Sequence, residues 1–182
     1  RGTKVRKMHT SRRDAFQTIG DEIAGTVTYP SLEVSLAPHV VKRGTNELAL
    51  MDKLEEKCAI VWYYPGMDPA ILSAWKGYRG IVLVGTGLGH VGTHMVGSIR
   101  EMSKAGTTFV MVSQCLHGRV CDRVYDTGRD LLSAGVIEGE DMLPEVALVK
   151  LMWVLGNSSS QEEVRRMMGS NLAGEIKWRS SE

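Results

Sequence analysis

Ile81-Val82-Leu83-Val84-Gly85-Thr86-Gly87-Leu88-Gly89-His90-Val91-Gly92 is the stretch whose reading decides the fold. Its four leading aliphatic residues do not alternate with polar ones, the pattern of a strand buried on both faces of a parallel sheet. The glycines behind them place a turn at the carboxyl end of that strand, where the backbone can come close to another group. Ligands of open parallel sheets sit outside the carboxyl ends of the strands, so the turn marks a candidate site. From Gly87 the spacing also satisfies G-x-G-x-x-G, the dinucleotide fingerprint. That fingerprint requires an acidic residue about 20 positions on to hold the ribose hydroxyls. The next apolar run, Thr107 to Val112, ends instead in Ser113-Gln114-Cys115-Leu116, and no Asp or Glu lies between Glu101 and Asp122. A dinucleotide-binding oxidoreductase is therefore the lesser alternative, beside a glycine turn that merely packs a helix on the sheet.

Working outward, strand and helix alternate. Cys58 to Tyr64 reads as a strand stopped by Pro65-Gly66, and Asp68-Pro69 opens a helix to about Lys76 with an N-cap and a proline in its first turn. After the glycine turn come a helix from about Thr93 to Lys104, a strand from Thr108 to Val112, and a helix over Asp130 to Ala134 ended by Gly135. Pro144 opens the strongest helix, Glu145 to Leu155, with Val146, Leu148, Val149, Met152 and Trp153 as its expected apolar face and Gly156 as its stop. Ser160-Gln161-Glu162-Glu163 is a capping box before a short helix to Met168. Such alternation with short connections predicts an α/β fold of three layers, a parallel sheet with helices on both faces.

The first 45 residues are less regular. Thr3 to Thr10 reads as a strand end, Ser11 to Phe16 as a turn or short helix, and Thr26 to Tyr29 as strand-like; Pro30, Pro38 and Gly44 interrupt the stretch. Residues 1–45 are expected to be the tail of a preceding domain plus a linker, making few contacts with the core of a domain spanning 46–182. The chain opens at Arg1-Gly2 without Met and reads as one entered in its middle.

The 182 residues and 43% hydrophobic content suffice for a real core. A net charge of +1 gives no general electrostatic reason for nucleic acid or anionic lipid as partner; Lys4, Arg6, Lys7, Arg12 and Arg13 form a local basic patch, read first as a solvated face. Three cysteines without a C-x-x-C pair argue against a disulfide framework and a structural zinc site, and point to a reducing cytoplasm. No apolar run approaches 18 residues, so neither a membrane span nor a signal peptide is expected.

Topology brings Tyr64-Pro65-Gly66, Gly85 to His90 and Ser113 to His117 to one end of the sheet. His90 is the only titratable side chain in the glycine turn and, near neutral pH, suits the orientation of a carboxylate; its alternative is a turn histidine with no role. Cys115 reads either as a reactive thiol or as small apolar packing. His9, His39, His94 and His117 are too scattered to argue for a metal. One sequence asserts no Ser-His-Asp or Cys-His arrangement.

Tyr64-Pro65-Gly66-Met67, Gly85 to His90, Ser113-Gln114-Cys115 through Val120, Tyr125-Asp126-Thr127-Gly128-Arg129 and Ala134 through Met142 occur in this order in the chain. In that order they resemble the C-terminal domain of the asparaginase/glutaminase amidohydrolases. Lys7 to Phe16, Leu143 to Trp153 and Asn171 to Ile176 look most like one branch of that family, the D-type subunits of archaeal tRNA-dependent amidotransferases; a cytoplasmic type I asparaginase is the other branch considered.

The resemblance implies hydrolysis of a side-chain amide by a threonine nucleophile, through an acyl-enzyme, with a Thr-Asp-Lys proton relay and no cofactor. In the amidotransferase branch the ammonia passes to an E-type partner subunit that amidates Glu on tRNA(Gln), and ATP and Mg are expected only in that partner. The family carries its nucleophile in T-G-G-T and its relay in H-G-T-D-T, and neither string occurs here. No catalytic residue is therefore expected in this chain, which should be inactive alone. By resemblance, Gly87, Leu88, Gly89 and His90 face the substrate in a neighbouring subunit of a homo-oligomer, in the simplest case a dimer. Other members have Asn in that turn where this chain has Leu88 and His90. Ser113, Gln114 and Cys115 mark a possible second site. Cys115 matches the cysteine of asparagine-regulated members, but the strand Ile81–Val84 lacks their arginine, so asparagine regulation is not expected.

Overall fold

The computed structural model describes residues 2–45 and 47–178. A short 3-10 turn, Gly2–Lys4, leads into an antiparallel pair of strands, β1 (Val5–Lys7) and β2 (Phe16–Thr18), followed by a second hairpin, β3 (Gly25–Thr28) and β4 (Glu33–Leu36). The remaining strands are β5 (Cys58–Trp62), β6 (Gly80–Gly85), β7 (Thr108–Ser113) and β8 (Ile137–Glu138). They form one parallel sheet in the order β5-β6-β7-β8, with Ile81 beside Ala59 on one side and Phe109 on the other. The helices are α1 (Val96–Lys104), α2 (Asp126–Ser133), α3 (Pro144–Asn157) and α4 (Gln161–Met168), with 3-10 segments at Pro69–Trp75 and Thr93–Met95. None of the described helices is long and apolar enough to cross a membrane.

Two cores explain the unbroken aliphatic run in β6. Ile81 and Leu83 face a cluster with Leu72, Met95, Ile99, Phe109 and Leu131, whereas Val82 and Val84 face one with Ala147, Leu151, Val154, Val164 and Met168. The first lies under the Pro69–Trp75 segment, α1 and α2; the second lies under α3 and α4. Both faces are covered, so the expected three-layer α/β arrangement is the one observed, and alternation in sequence has nothing to report.

The local differences from expectation have identifiable causes. Asp68 does cap the segment at Pro69, accepting from the Ala70 amide at 2.8 Å, but the segment is 3-10 rather than α-helical. In α3 the buried stripe is Pro144, Ala147, Lys150, Leu151 and Val154, whereas Val149 is exposed and Val146, Leu148, Met152 and Trp153 are only partly buried. The helix is apolar almost all round, so hydrophobicity alone could not choose its inner face. The choice is fixed by Lys150, whose ammonium meets Glu175 at 2.6 Å and the Met168 and Ser170 carbonyls at 2.9 and 2.5 Å. Gly156 does not stop the helix, which runs on to Asn157. A side chain there would lie 2.6 Å from the Lys53 carbonyl oxygen, so this glycine admits the preceding linker instead. That linker is fastened along α3, where Trp153 Nε1 donates to the Met51 carbonyl and the Glu55 amide to the Met152 carbonyl, at 2.8 and 2.9 Å. α2 begins earlier than expected, at Asp126, and Glu163 closes the α4 cap on Ser159 while its own amide bonds Ser160.

The N-terminal stretch makes more contact with the domain than its composition predicts. Lys4 is 1% exposed, and its Nζ lies 2.9 Å from Asp141 Oδ2 and donates to the Asp141 carbonyl at 2.7 Å. Asp141 also accepts from the Lys177 amide at 3.0 Å, while the Lys177 ammonium reaches Asp21 at 2.9 Å. Arg6 pairs with Glu145 and the Thr3 hydroxyl donates to the Ala173 carbonyl. None of the segment's described residues joins either buried cluster; polar groups, not an apolar face, hold it. The β3–β4 hairpin is different: Val27, Tyr29, Val34 and Leu36 are all exposed, and Arg13 stacks on Tyr29 at 3.9 Å. The expected boundary between 45 and 46 has one side on a residue outside the described ones, as are residues 179–182.

Removing one member of a buried ion pair leaves an uncompensated charge, at about 3 to 5 kcal/mol. Lys4→Met is expected to destabilise at the lower end of that range, because the Lys177 amide still bonds Asp141. Urea titration of the variant against the parent measures it; a change below about 1 kcal/mol would mean that the N-terminal segment is not docked on Asp141 in solution.

Candidate functional site

The carboxyl ends of β5, β6 and β7 converge as the topology requires. Past β6 the chain folds back on itself: the Thr86 amide donates to the His90 carbonyl and the His90 amide to the Thr86 carbonyl, each at 2.9 Å, while the Gly89 amide also reaches Thr86 at 3.0 Å. Gly87 and Gly89 have φ of +52° and +101°, a region in which a side chain is strained. This closed loop differs from a dinucleotide turn, which passes from strand directly into a helix N-terminus. Here Gly92 and the Thr93–Met95 segment intervene before α1. The fingerprint spacing is met by a different backbone geometry.

Neighbouring strand ends hold the loop. Ser113 Oγ donates to the Gly87 carbonyl at 2.5 Å and accepts from the Cys115 amide at 2.9 Å. The Gln114 amide donates to the Gly85 carbonyl at 2.8 Å, and its side-chain Nε2 donates to the carbonyls of Tyr63 and Val84 at 2.5 and 3.1 Å. Ser113 and Gln114 thus bind backbone, and Cys115 is exposed with a free thiol. His94, which no motif singles out, bonds the Met67 carbonyl through Nε2 at 2.9 Å and packs against Gly92, where a Cβ would come within 2.3 Å of its ring.

Within the turn the four candidate residues divide. Gly87 and Leu88 are exposed, and a Cβ added at Gly87 would meet nothing within 4 Å. Gly89 is buried, with Val120 Cγ1 only 2.7 Å from where its Cβ would be. His90 turns inward, edge-on to Tyr125 with centroids 5.0 Å apart, and both its ring nitrogens are shielded and without a hydrogen-bond partner. The outward face of the turn is therefore the backbone around Gly87 and the Leu88 side chain.

An acidic cluster that sequence reasoning missed lies beneath it. The Leu88 carbonyl accepts from the Cys121 amide at 2.9 Å, and the Val120 amide donates to the Glu140 carbonyl at 3.0 Å. Between them Asp122 is fully buried, with neither carboxylate oxygen hydrogen-bonded. Burial, and then the nearby Glu138 carboxylate, push its acid up to about 7. Glu138 Oε1 accepts from the Asp122 amide at 3.0 Å and Oε2 faces Arg123 at 3.4 Å. Glu140, in the left-handed region at φ +57°, pairs with Arg119 at 3.3 Å; burial raises its acid while Arg119 opposes the shift. No spacing rule marks Asp122, whose amide bonds Glu138 at the end of β8 and whose carbonyl packs against Gly128 in α2, both distant in sequence or unremarkable in pattern. Among the described residues, no group of three His, Cys, Asp or Glu side chains is placed to hold a metal ion.

The raised acid of Asp122 sets a sign for stability against pH. Between about 4, where the unfolded chain releases this proton, and about 7, where the folded one does, the folded state binds more protons. Its contribution to stability is therefore full below pH 4, declines as pH rises to 7 and is level above. Asp122→Asn abolishes that slope, so the melting temperature of the variant relative to the parent should climb between pH 4 and 7 and then stay constant. A difference independent of pH over that window would show that Asp122 is ionised in the fold from the start.

Over 178 residues the chain is 56% identical to the Archaeoglobus fulgidus protein named as the D subunit of glutamyl-tRNA(Gln) amidotransferase, covering 97% of this chain and 42% of that protein. Against the protein of the same name from Pyrococcus horikoshii it is 54% identical over 179 residues, covering 97% and 41%. The chain thus spans about two fifths of the length of these relatives. Among solved structures, the thermostable L-asparaginase from Thermococcus kodakarensis superposes with a TM-score of 0.86 at 35% identity, over 98% of this chain and 54% of that one. The model of the glutaminase/asparaginase C-terminal domain matches residues 57–168, from the start of the parallel sheet to the end of α4. The chain belongs to the glutaminase/asparaginase C-terminal domain family.

Proposed function

We propose that this chain is the C-terminal portion of a glutaminase-type amidohydrolase subunit that releases ammonia from glutamine, the ammonia passing to an E-type partner subunit that amidates Glu on tRNA(Gln). The observation that carries this reading is a difference in likeness. Over nearly the whole chain, identity is 54–56% to D-type amidotransferase subunits and 35% to an asparaginase of the same fold. A cytoplasmic type I L-asparaginase is the second reading, favoured by the close superposition on that enzyme.

In this reading the chain supplies part of a substrate pocket and no nucleophile. The hydroxyls nearest the turn bond backbone carbonyls, Thr86 that of His90 at 3.3 Å and Ser113 that of Gly87, and neither is set against a base. A nucleophile without a base and oxyanion donors lacks most of its rate. The threonine and its Thr-Asp-Lys relay belong to the portion of the relatives that lies outside this chain. The outward backbone at Gly87 and the Leu88 side chain, with His90 behind them, then face the amino and carboxylate ends of an amide substrate in a neighbouring subunit of a cytoplasmic homo-oligomer, a dimer in the simplest form. Hydrolysis of the amide needs no cofactor; ATP and Mg serve the partner subunit, which alone handles the tRNA.

Ammonia release by the full-length protein from glutamine and from asparagine, with and without the E-type subunit and Glu-tRNA(Gln), separates the two readings. Glutamine should be preferred and its turnover stimulated by the partner, while residues 1–182 alone should release no ammonia from either amide. A tenfold or greater preference for asparagine, indifferent to partner and tRNA, would make the protein an asparaginase.

Gly87→Ala tests the outward face of the turn. In this chain the added methyl meets nothing, so the cost to folding is confined to the positive φ, about 1 kcal/mol. In the full-length oligomer kcat/KM should fall by more than about tenfold, beyond what that folding cost explains. Unchanged kcat/KM would return the turn to packing α1 on the sheet.

A further inference from the structure

The glycine turn does not stand on its own strand alone. The Leu88 carbonyl takes the Cys121 amide, Gly89 packs on Val120, and the His90 ring stands edge-on to Tyr125. Three consecutive residues of the turn therefore lean on one segment, residues 120–125. In the middle of that segment Asp122 is fully buried with two carboxylate oxygens that bond nothing. Its backbone is fixed from the other side by α2: a Cβ at Gly128 would fall 2.2 Å from the Asp122 carbonyl oxygen. Stability alone would place an apolar side chain here, because a buried polar group without a partner is costly. An acid in this position requires another explanation.

We propose that Asp122 is a positioning residue for the glycine turn: as the neutral acid it lets residues 120–125 close beneath Leu88–His90, and as the carboxylate it forces that segment, and the turn with it, away. The proposal rests on the reading of the turn as substrate-facing only for its effect on catalysis; the coupling of Asp122 to the turn is independent of that reading. The charges around Asp122 leave its carboxylate uncompensated. From β8, Glu138 opposes a second negative charge, and its own cation, Arg123, lies on the exposed side. Just beyond β8, Glu140 is matched by Arg119 and Asp141 by Lys4. From α2, Asp126 and Arg129 are paired with each other. From the turn, His90 offers ring nitrogens that bond nothing. With its acid pushed up to about 7, Asp122 changes form at neutrality, where each state is accessible. Contacts made equally to the bound substrate and to the transition state affect KM rather than kcat, so a displaced turn should act on KM.

The test uses the full-length protein, wild type and Asp122→Asn, between pH 5.5 and 8.5. Hydrogen-exchange protection is followed at the amides of Gly89, His90 and Cys121, whose bonds close the turn on itself and on the segment, together with KM and kcat for glutamine. In the wild type, protection should fall and KM should rise with a one-proton transition around neutrality, steepening to at most about tenfold per pH unit, with kcat little changed. Both profiles should be flat in Asp122→Asn. Should that variant not fold, Asp122→Leu removes the acid without leaving a polar group unpaired and serves the same comparison. Protection that is flat in the wild type, or a variant that keeps the wild-type slope, overturns the proposal. Protection that follows pH while KM does not supports Asp122 as the positioning residue and removes the substrate from the turn.

Discussion

A parallel sheet must be covered on both faces, and the rest of this structure follows from that constraint. Ile81 to Val84 are at most 1% exposed, two residues to each core. Because the strands lie side by side in chain order, the segments linking β5, β6, β7 and β8 pack into one layer, and the chain must return after β8 to cover the other with α3 and α4. The same order puts every strand-to-helix turn at one end. A site at that end is a by-product of covering the sheet, before any chemistry is considered.

Long-range attachment relies on charge to an unusual degree for so apolar a core. Lys4 meets Asp141 in a buried pair just past β8, and Lys150 on α3 collects the Met168 carbonyl at the end of α4 and, beyond it, the Ser170 carbonyl and Glu175. Neither ammonium is held by a carboxylate alone; each also donates to backbone, the condition under which burial of an ion can be tolerated. These two points tie the first and last described segments to the sheet domain. The Lys150 anchor also turns one stripe of α3 inward, leaving Val146, Val149 and Trp153 with Leu54 and Leu172 along an apolar groove of about 610 Å³.

Three of the four sheet strands were legible in the sequence because their signals are local, an unbroken aliphatic run with a proline or glycine soon after β5 and β6; the two-residue β8 is too short to carry such a pattern and was missed. The inner face of α3 was not legible, since Leu148 and Val149 are as apolar as Leu151 and only the distant Glu175 decides between them. The attachment of residues 2–21 was hidden for the same reason, because Lys4 and Asp141 are 137 positions apart. At the site, glycine spacing located the turn but suggested a second chemistry that the Thr86–His90 bridge rules out as a backbone geometry. The packing of His90 against Tyr125 was not legible either, because that contact depends on where α2 begins. Asp122 carried no signal at all: a single acid in a loop is ordinary until three other segments enclose it.

Gln114 has a mechanical consequence. One carboxamide nitrogen bonds the carbonyls of Tyr63, just past β5, and Val84, near the end of β6, while its own backbone amide holds the Gly85 carbonyl. The ends of β5, β6 and β7 are thereby laced together just where a sheet would otherwise splay as its ladder bonds run out. Hydrogen bonds from Gln114 and its neighbour Ser113 thus link Tyr63, Val84, Gly85 and Gly87 around one rim of the sheet. Loops that would drift separately by thermal motion instead share one displacement, so a molecule that seats on any one of them encounters all three at a fixed spacing.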